Sequence, residues 1–272
     1  METYTRASYR ASKLVTDEYS TSFGLSIRLF NPSLRPHIYS IYGLVRIADE
    51  IVDTYKGDNA RQLLDSLENE VSDALASGYS TNPIIHAYVT TARRYDIPVS
   101  LLAAFFESMR MDLTSHVYTQ SLYETYIYGS AEVVGLMCLK VFTDDAGLYD
   151  SLSDGASHLG AAYQKINFLR DIAADHELLQ RWYFPEGSYE TFDELAKARI
   201  IEDISYDFAV GKVALHKLPA SSRKAVALSY HYYQLLLQKI DATSAKKLKQ
   251  QRIRIPTPRK LLLLAKVGVT GS

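Results

Sequence analysis

Chain breakers fall at helix-length intervals along this sequence, and that spacing leaves little room for anything but helices. The breaks are Asn31-Pro32, Lys56-Gly57-Asp58, Gly78, Asn82-Pro83, Ile97-Pro98, Pro185-Glu186-Gly187, Pro219 and Pro256. Between them apolar residues recur every three to four positions, the spacing of an amphipathic helix. The pattern predicts helices near 4–20, 33–55, 59–77, 83–94, 98–115, 120–142, 147–177, 203–216, 220–241 and 257–266. The run Ser26-Ile27-Arg28-Leu29-Phe30 is too short and isolated to found a sheet, and no repeat or low-complexity linker divides the chain. The expectation is one all-α domain over 1–272, a bundle of eight to ten helices. Sites in such bundles form from side chains projecting inward from several helices.

Composition narrows the function. With 47% hydrophobic residues the chain can bury a sizeable core, and a net charge of -1 sets up no global field for nucleic acid or an anionic surface. One cysteine, Cys138, excludes an intrachain disulfide and a thiolate metal cluster, and is most simply a core residue. The polar start METYTRASYRASK does not read as a secretory signal. The apolar runs VVGLMCLKVF and KLLLLAKVGV fall short of the roughly 20 residues a membrane helix needs. A cytoplasmic protein, soluble or peripheral at a membrane, is expected.

The stretch YGLVRIADEIVDTY (42–55) puts Tyr42, Arg46, Asp49 and Asp53 on one helical face, beside an apolar stripe of Ile38, Ile41, Val45, Ala48 and Val52. Taken alone this fits a surface Arg–Asp pair. Yet the segment is mostly apolar, and a buried carboxylate pair without a cation is costly. Two carboxylates one turn apart also suit a divalent cation with oxygen ligands, and Mg²⁺ commonly takes one or two carboxylates plus substrate phosphate. Glu50 turns off the row, toward solvent.

YQKINFLRDIAADHELLQRWYFPEG (163–187) repeats the theme: Gln164, Asn167, Asp171 and Asp175 share a face, Arg170 adjoins it, and Ile166, Phe168, Leu169 and Ile172 supply packing. Two such helices imply acidic rows facing across a cavity that holds Mg²⁺ and a bridged diphosphate. Arg46 and Arg170, with Arg252 or Arg254, would take the remaining oxygens. Other metal and phosphate motifs are missing: no histidine has Glu three residues before it, and there is no H-E-x-x-H, no G-x-x-x-x-G-K-[ST] and no G-x-G-x-x-G.

YSTSF (19–23), YGLVRIADEIVD (42–53), MRMDL (109–113), YIYGSAEVVGLM (126–137) and NFLRDIAADHELLQRWYFP (167–185) resemble, in order and spacing, the squalene/phytoene synthases, most of all bacterial phytoene synthases. The resemblance covers nearly the whole chain. It implies the isoprenoid (terpenoid) synthase helical bundle around a central cavity, and head-to-head joining of two prenyl diphosphates. It makes Asp49 and Asp53 the first metal-binding motif and Asp171 and Asp175 the second, with Asn167 beside it, holding Mg²⁺, for which Mn²⁺ can substitute. Arg46 and Arg170 match diphosphate-contacting arginines, Tyr42 and Tyr126 active-site tyrosines that shield cations or relay protons, and Ser20, Ser22 and Phe23 a closing flap. Tyr233 and Arg252 are looser matches for substrate contacts. The chain departs from the family pattern at Tyr19 and Thr21 in the flap, at Ala173 and Ala174 inside the second motif, and at Gln180, where relatives carry Gly before Arg.

The resemblance further implies a 15-cis-phytoene synthase that uses geranylgeranyl diphosphate, needs no NADPH and makes an apolar product suited to peripheral membrane association. Farnesyl diphosphate, giving dehydrosqualene or squalene, is the alternative; squalene formation would need NADPH. A head-to-tail prenyltransferase or terpene cyclase on the same fold is disfavoured by the form of the second motif, and a non-catalytic lipid-binding or assembly relative by the intact aspartates. The run Gly129, Ser130, Ala131, Val134, Gly135 either thins a helix for a prenyl tail or packs two helices closely.

Overall fold

Capping side chains mark where many of the helices begin. Asn82, Thr119, Asp145, Asp193 and Ser244 each accept a hydrogen bond from a backbone N–H two or three residues on, which satisfies a donor the first turn leaves open. The computed structural model describes residues 2–115, 117–143 and 145–270 and, within these, every side chain except those of Thr21, Ser22 and 268–270. The order is α1 (Glu2–Tyr19), α2 (Thr21–Ile27), α3 (Arg35–Asp49) continued by a π turn (Glu50–Thr54), α4 (Ala60–Ser77), α5 (Pro83–Arg94) and α6 (Val99–Asp112). Then come α7 (Gln120–Ile127), joined by a second π turn (Tyr128–Glu132) to α8 (Val133–Phe142), and α9 (Ala146–Leu179). The chain continues with α10 (Glu194–Lys217), α11 (Ala220–Asp241), the short α12 (Ala245–Leu248) and α13 (Thr257–Thr270). Among the described residues the one β-type pairing is an isolated bridge between Val117 and Trp182.

The structure departs from the sequence expectation at α2, at α12, at the start of α10 and in two helices that carry a π turn. Ser26 and Ile27 end α2, where Ser20 caps a seven-residue helix too short to show a period. Helix α10 starts at Glu194 rather than near 203, because the Asp193 cap nucleates it well before the strongest apolar spacing. Two helices of the sequence reading, 33–55 and 120–142, each contain a π turn. Such turns occur mostly as single bulges at functional sites.

Helix α9 packs against α8, α10 and α11. One apolar cluster gathers α7, α9, α10 and α11 with the 182–184 and 253–255 segments; the other gathers α3, α4, α5, α6 and α8. Fully buried Tyr88, Phe105 and Phe106 anchor the second, each contributing roughly 1.5–3 kcal/mol of apolar transfer. Small residues let the helices between the clusters approach. A Cβ on Gly129 would lie 2.4 Å from the Ala104 carbonyl oxygen, and one on Gly160 2.7 Å from that of Ala131. Close packing thus accounts for Gly129 and also for Gly135, whose Cβ would lie 2.9 Å from the Ala156 carbonyl oxygen, while Ser130, Ala131, Val134 and Gly135 line the space left between the clusters.

Candidate active site

That space is a cavity of about 1020 Å³. On α9 its lining runs from Leu152 to Asp175, about 34 Å of helix at 1.5 Å per residue. One end is apolar, walled by Phe30, Ile38, Phe142, Leu152 and Leu218; the other carries the acidic rows. Phe30 and Phe142 stack with centroids 5.0 Å apart. Tyr42, Arg46, Asp49, Asp53, Tyr126, Gln164, Asn167, Arg170, Asp171, Asp175, Tyr233 and Arg252 all line it, as do Ser20 and Phe23. Ser22 lies outside the described side chains.

On α3 the apolar stripe is turned inward: Ile38, Ile41, Ala48 and Val52 are buried. Arg46 therefore sits at the edge of the packed face. It is held by Glu50 at 2.6 Å and Asp49 at 3.8 Å, and the Tyr19 ring covers its guanidinium at 4.2 Å. Glu50 does not simply face solvent, since one helical turn brings it back onto Arg46. Arg46 Nε is buried without a hydrogen-bond partner, a donor left for a ligand oxygen. Phe23 stacks on Tyr42 at 5.0 Å, so α2 bears on the wall of the site. Ser20 itself caps α2 through the Phe23 N–H, a structural task beside the expected flap role.

On α9 the second row is already engaged. Asp171 takes a bidentate hydrogen bond from Arg170 (3.0 and 2.5 Å), and Arg252 reaches the same carboxylate at 2.7 Å. Asn167 accepts from the Tyr233 hydroxyl at 3.2 Å and donates to Gln164 at 3.4 Å. Burial by itself would lower the Arg170 pKa, but Asp171 outweighs it and holds the guanidinium charged.

Two residues that the sequence reading did not assign complete the acidic end. Arg181 is buried and bridges Asp53 at 2.8 Å and Asp112 at 3.2 Å, and it also donates to the carbonyls of Val52 and Asp112. Asp112 accepts from Tyr126 at 2.8 Å and Tyr183 at 3.3 Å. The Tyr126 hydroxyl is thus committed to Asp112 rather than free to relay a proton. The available signal was chemical: an arginine beside Trp182-Tyr183-Phe184, and an aspartate closing an apolar helix, are each tolerated in a core only when paired. The turn that delivers Arg181 has Gln180 in the left-handed region (φ 54°), the position where the family pattern carries Gly.

Asp49, whose one ion pair is the 3.8 Å contact with Arg46, and Asp175 are the least compensated. Enclosure pushes the Asp49 carboxyl up to about 7, with Asp53 adding to the rise, Arg46 opposing it and Asp112 adding further. Burial carries Asp175 up to about 8, with Asp171 and Asp53 adding to the rise and Arg181 opposing it. Because Asp53 raises Asp175, the two rows interact across the cavity. Among the described residues no three acidic, histidine or cysteine side chains form a metal cage on their own. A set of raised, facing carboxylates next to an orphaned arginine donor instead fits a hard divalent cation that completes its shell with water and phosphate oxygens.

The comparisons agree with this geometry. The family model described as squalene/phytoene synthase matches residues 16–259. The chain is 29% identical to phytoene synthase 2, chloroplastic, of Solanum lycopersicum (92% of this chain, 86% of the relative). It is 27% identical to the presqualene diphosphate synthase of Zymomonas mobilis (89% and 87%). Against two other chloroplastic phytoene synthases it spans about half of the relative's length, 46% and 47%. A crystal structure of a dehydrosqualene synthase superposes with a TM-score of 0.82 at 20% identity, covering 97% of this chain and 96% of that one, and so shares the fold. A match of this extent, on a bundle whose two aspartate rows share one cavity, places the chain in the squalene/phytoene synthase family.

Proposed function

We propose that the chain, acting as one catalytic domain over 1–272, is a 15-cis-phytoene synthase. It would join two molecules of geranylgeranyl diphosphate head to head through prephytoene diphosphate and release diphosphate, the entry step to carotenoids. The carrying observation is a long apolar cavity with an acidic, arginine-edged end, which matches a diphosphate head with a prenyl tail. Asp49 and Asp175, with Asp53, Asp171 and Asn167 in reach, would hold Mg²⁺ or Mn²⁺, and a bound cation would supply Lewis-acid withdrawal of charge from the leaving diphosphate.

The remaining work belongs to the chain's own groups. Arg46 offers its unpartnered Nε to a phosphate oxygen, and Arg170 and Arg252 are placed to exchange Asp171 for phosphate, aided by Gln164 and Tyr233. Phe23 and Tyr42 shield the head-group region, and the apolar walls exclude the water that would quench a carbocation. Tyr42 and Tyr126 both have pKa values raised, first by burial and then by nearby carboxylates, so they remain protonated; Tyr42 acts as a donor or shield, and Tyr126, its hydroxyl committed to Asp112, as a shield. The apolar product would bring the protein to a membrane as a peripheral enzyme. Among the described residues no helix is long and apolar enough to cross one.

Farnesyl diphosphate is the competing substrate, since the presqualene diphosphate synthase is nearly as similar as the phytoene synthase. Incubating the pure protein with Mg²⁺ and either the C20 or the C15 diphosphate separates the two readings. Phytoene from the C20 substrate supports the proposal. Product from the C15 substrate alone replaces it with dehydrosqualene synthesis, and an NADPH requirement replaces it with squalene synthesis.

A further inference from the structure

Outside the active site, a groove of about 1370 Å³ lies between α1, the α2–α3 turn and α5. Helix α1 contributes Arg6, Arg10 and Lys13, the α2–α3 turn Arg28, the start of α3 its first residue, Arg35, and α5 Arg93 and Arg94. The only acidic side chain lining it is Glu2, and among the described residues the only ion pair these cations form is Lys13 with Asp17. Arg35 donates to the Phe30 carbonyl at 2.9 Å, and Arg94 lies over the Tyr95 ring at 5.6 Å. Seven cations against one lining carboxylate, in a chain of net charge -1, is a local field that the composition hides. An exposed aromatic side chain flanks it: Tyr79, 47% exposed, follows Gly78 of the lining and meets the ring of His86, also in the lining, at 5.2 Å. The same stretch of chain closes the apolar end of the cavity. Phe30 and Ile38 line the cavity, while Pro32, Arg35 and Tyr39 line the groove.

We propose that this groove docks the protein on an anionic phospholipid surface. The arginines meet lipid phosphates, and Tyr79 sits at the acyl boundary. The occupant follows from the charge, from the interfacial character of Tyr beside Arg, and from the position over the tail end of the cavity, where an apolar product lies nearest the surface. The purpose of docking rests on the proposed apolar product; the binding itself rests only on the groove.

The test is co-sedimentation of the full chain with vesicles of phosphatidylcholine alone or mixed with phosphatidylglycerol, with and without added salt. Binding is expected to the mixed vesicles only, and to fall as salt rises. The triple variant Arg6→Gln, Arg10→Gln, Arg93→Gln should lower partitioning about a hundredfold, at about 1 kcal/mol per cation. It should keep the helical circular dichroism and the wild-type turnover of detergent-dispersed substrate. Leu261→Ser with Leu262→Ser, on the exposed face of α13, should leave binding unchanged. Equal binding to neutral vesicles, wild-type binding by the triple variant, or loss through the α13 variant alone overturns the assignment. Displacement from vesicles by millimolar inorganic phosphate, or binding to heparin without binding to vesicles, also overturns it, in favour of a small-anion or general polyanion site. Turnover in detergent is read separately, so failure of docking and failure of the phytoene synthase reading are distinguishable.

Discussion

The two acidic rows look alike in sequence but are compensated differently. Each has one aspartate held by arginine at hydrogen-bond distance and one left more open, Asp49 with a single 3.8 Å contact to Arg46. In the first row Asp53 is held by Arg181, which is 5% exposed and arrives from 128 residues away. In the second row Asp171 is held by its neighbour Arg170 and by Arg252, which is 47% exposed. A buried arginine tied to two carboxylates and two carbonyls is part of the framework. An exposed one on a carboxylate is a contact that a phosphate can replace at little cost. The first row is therefore built to stay, and the second to exchange partners when a diphosphate arrives.

The sharpest way to break this contrast is to remove the two arginines in parallel. Arg181→Met strands Asp112 in the interior and should cost about 3–5 kcal/mol in urea unfolding. Arg252→Met should cost less than about 1 kcal/mol, because its side chain is half in solvent, and should appear instead as a higher KM. Equal stability losses would mean that both arginines are framework.

The open aspartates are predicted to carry function rather than stability. Asp49→Asn and Asp175→Asn should each lower turnover by about a hundredfold to a thousandfold, the scale of losing one preorganised electrostatic contact, with the helical signal intact. An active Asp175→Asn enzyme would sink the metal assignment of the second row.

Protons sharpen the same comparison. In the folded, metal-free chain the Asp49 carboxyl is pushed up to about 7 and that of Asp175 to about 8, against about 3.9 in an unfolded chain. Between those limits the folded state binds more protons than the unfolded one. Their contribution is therefore full below about pH 4 and is lost as pH rises through 7 to 8. Asp175→Asn should flatten part of that decline in a series of thermal melts. Mg²⁺ with diphosphate binds the ionised carboxylates, so its stabilisation should grow over the same range, reaching about 2.7 kcal/mol at a hundredfold excess over Kd.

The smallest effect concerns the turn that delivers Arg181. Gln180 holds a left-handed backbone that glycine adopts without strain. Gln180→Gly should stabilise the protein by no more than about 1 kcal/mol, the relieved strain being partly offset by extra freedom in the unfolded chain.

Much of the site was legible because helices write their faces into the sequence. The spacing of Tyr42, Arg46, Asp49 and Asp53, and of Gln164, Asn167, Asp171 and Asp175, follows from the helical repeat, and every one of these residues reaches the cavity. Asp112 and Arg181 were not assigned because their partnership spans 69 residues and no local period records it. The π turns were invisible for a related reason: a single shifted hydrogen bond leaves the residue pattern almost unchanged, yet it rotates the next stretch of helix. Glu50 was misjudged because spacing shows which face a side chain leaves from, not which cation it meets.

By itself the sequence determined the all-α class, most of the breaks between helices, and two aspartate rows on apolar helices, since propensity, capping and periodicity are local. Tertiary packing decided which carboxylates stay open and which are neutralised, where the cavity ends, and that seven cations from α1, the α2–α3 turn, the start of α3 and α5 share one groove. Those outcomes depend on charges and surfaces brought together across long stretches of chain, and Coulomb energy and desolvation act on distance in space rather than on separation in sequence.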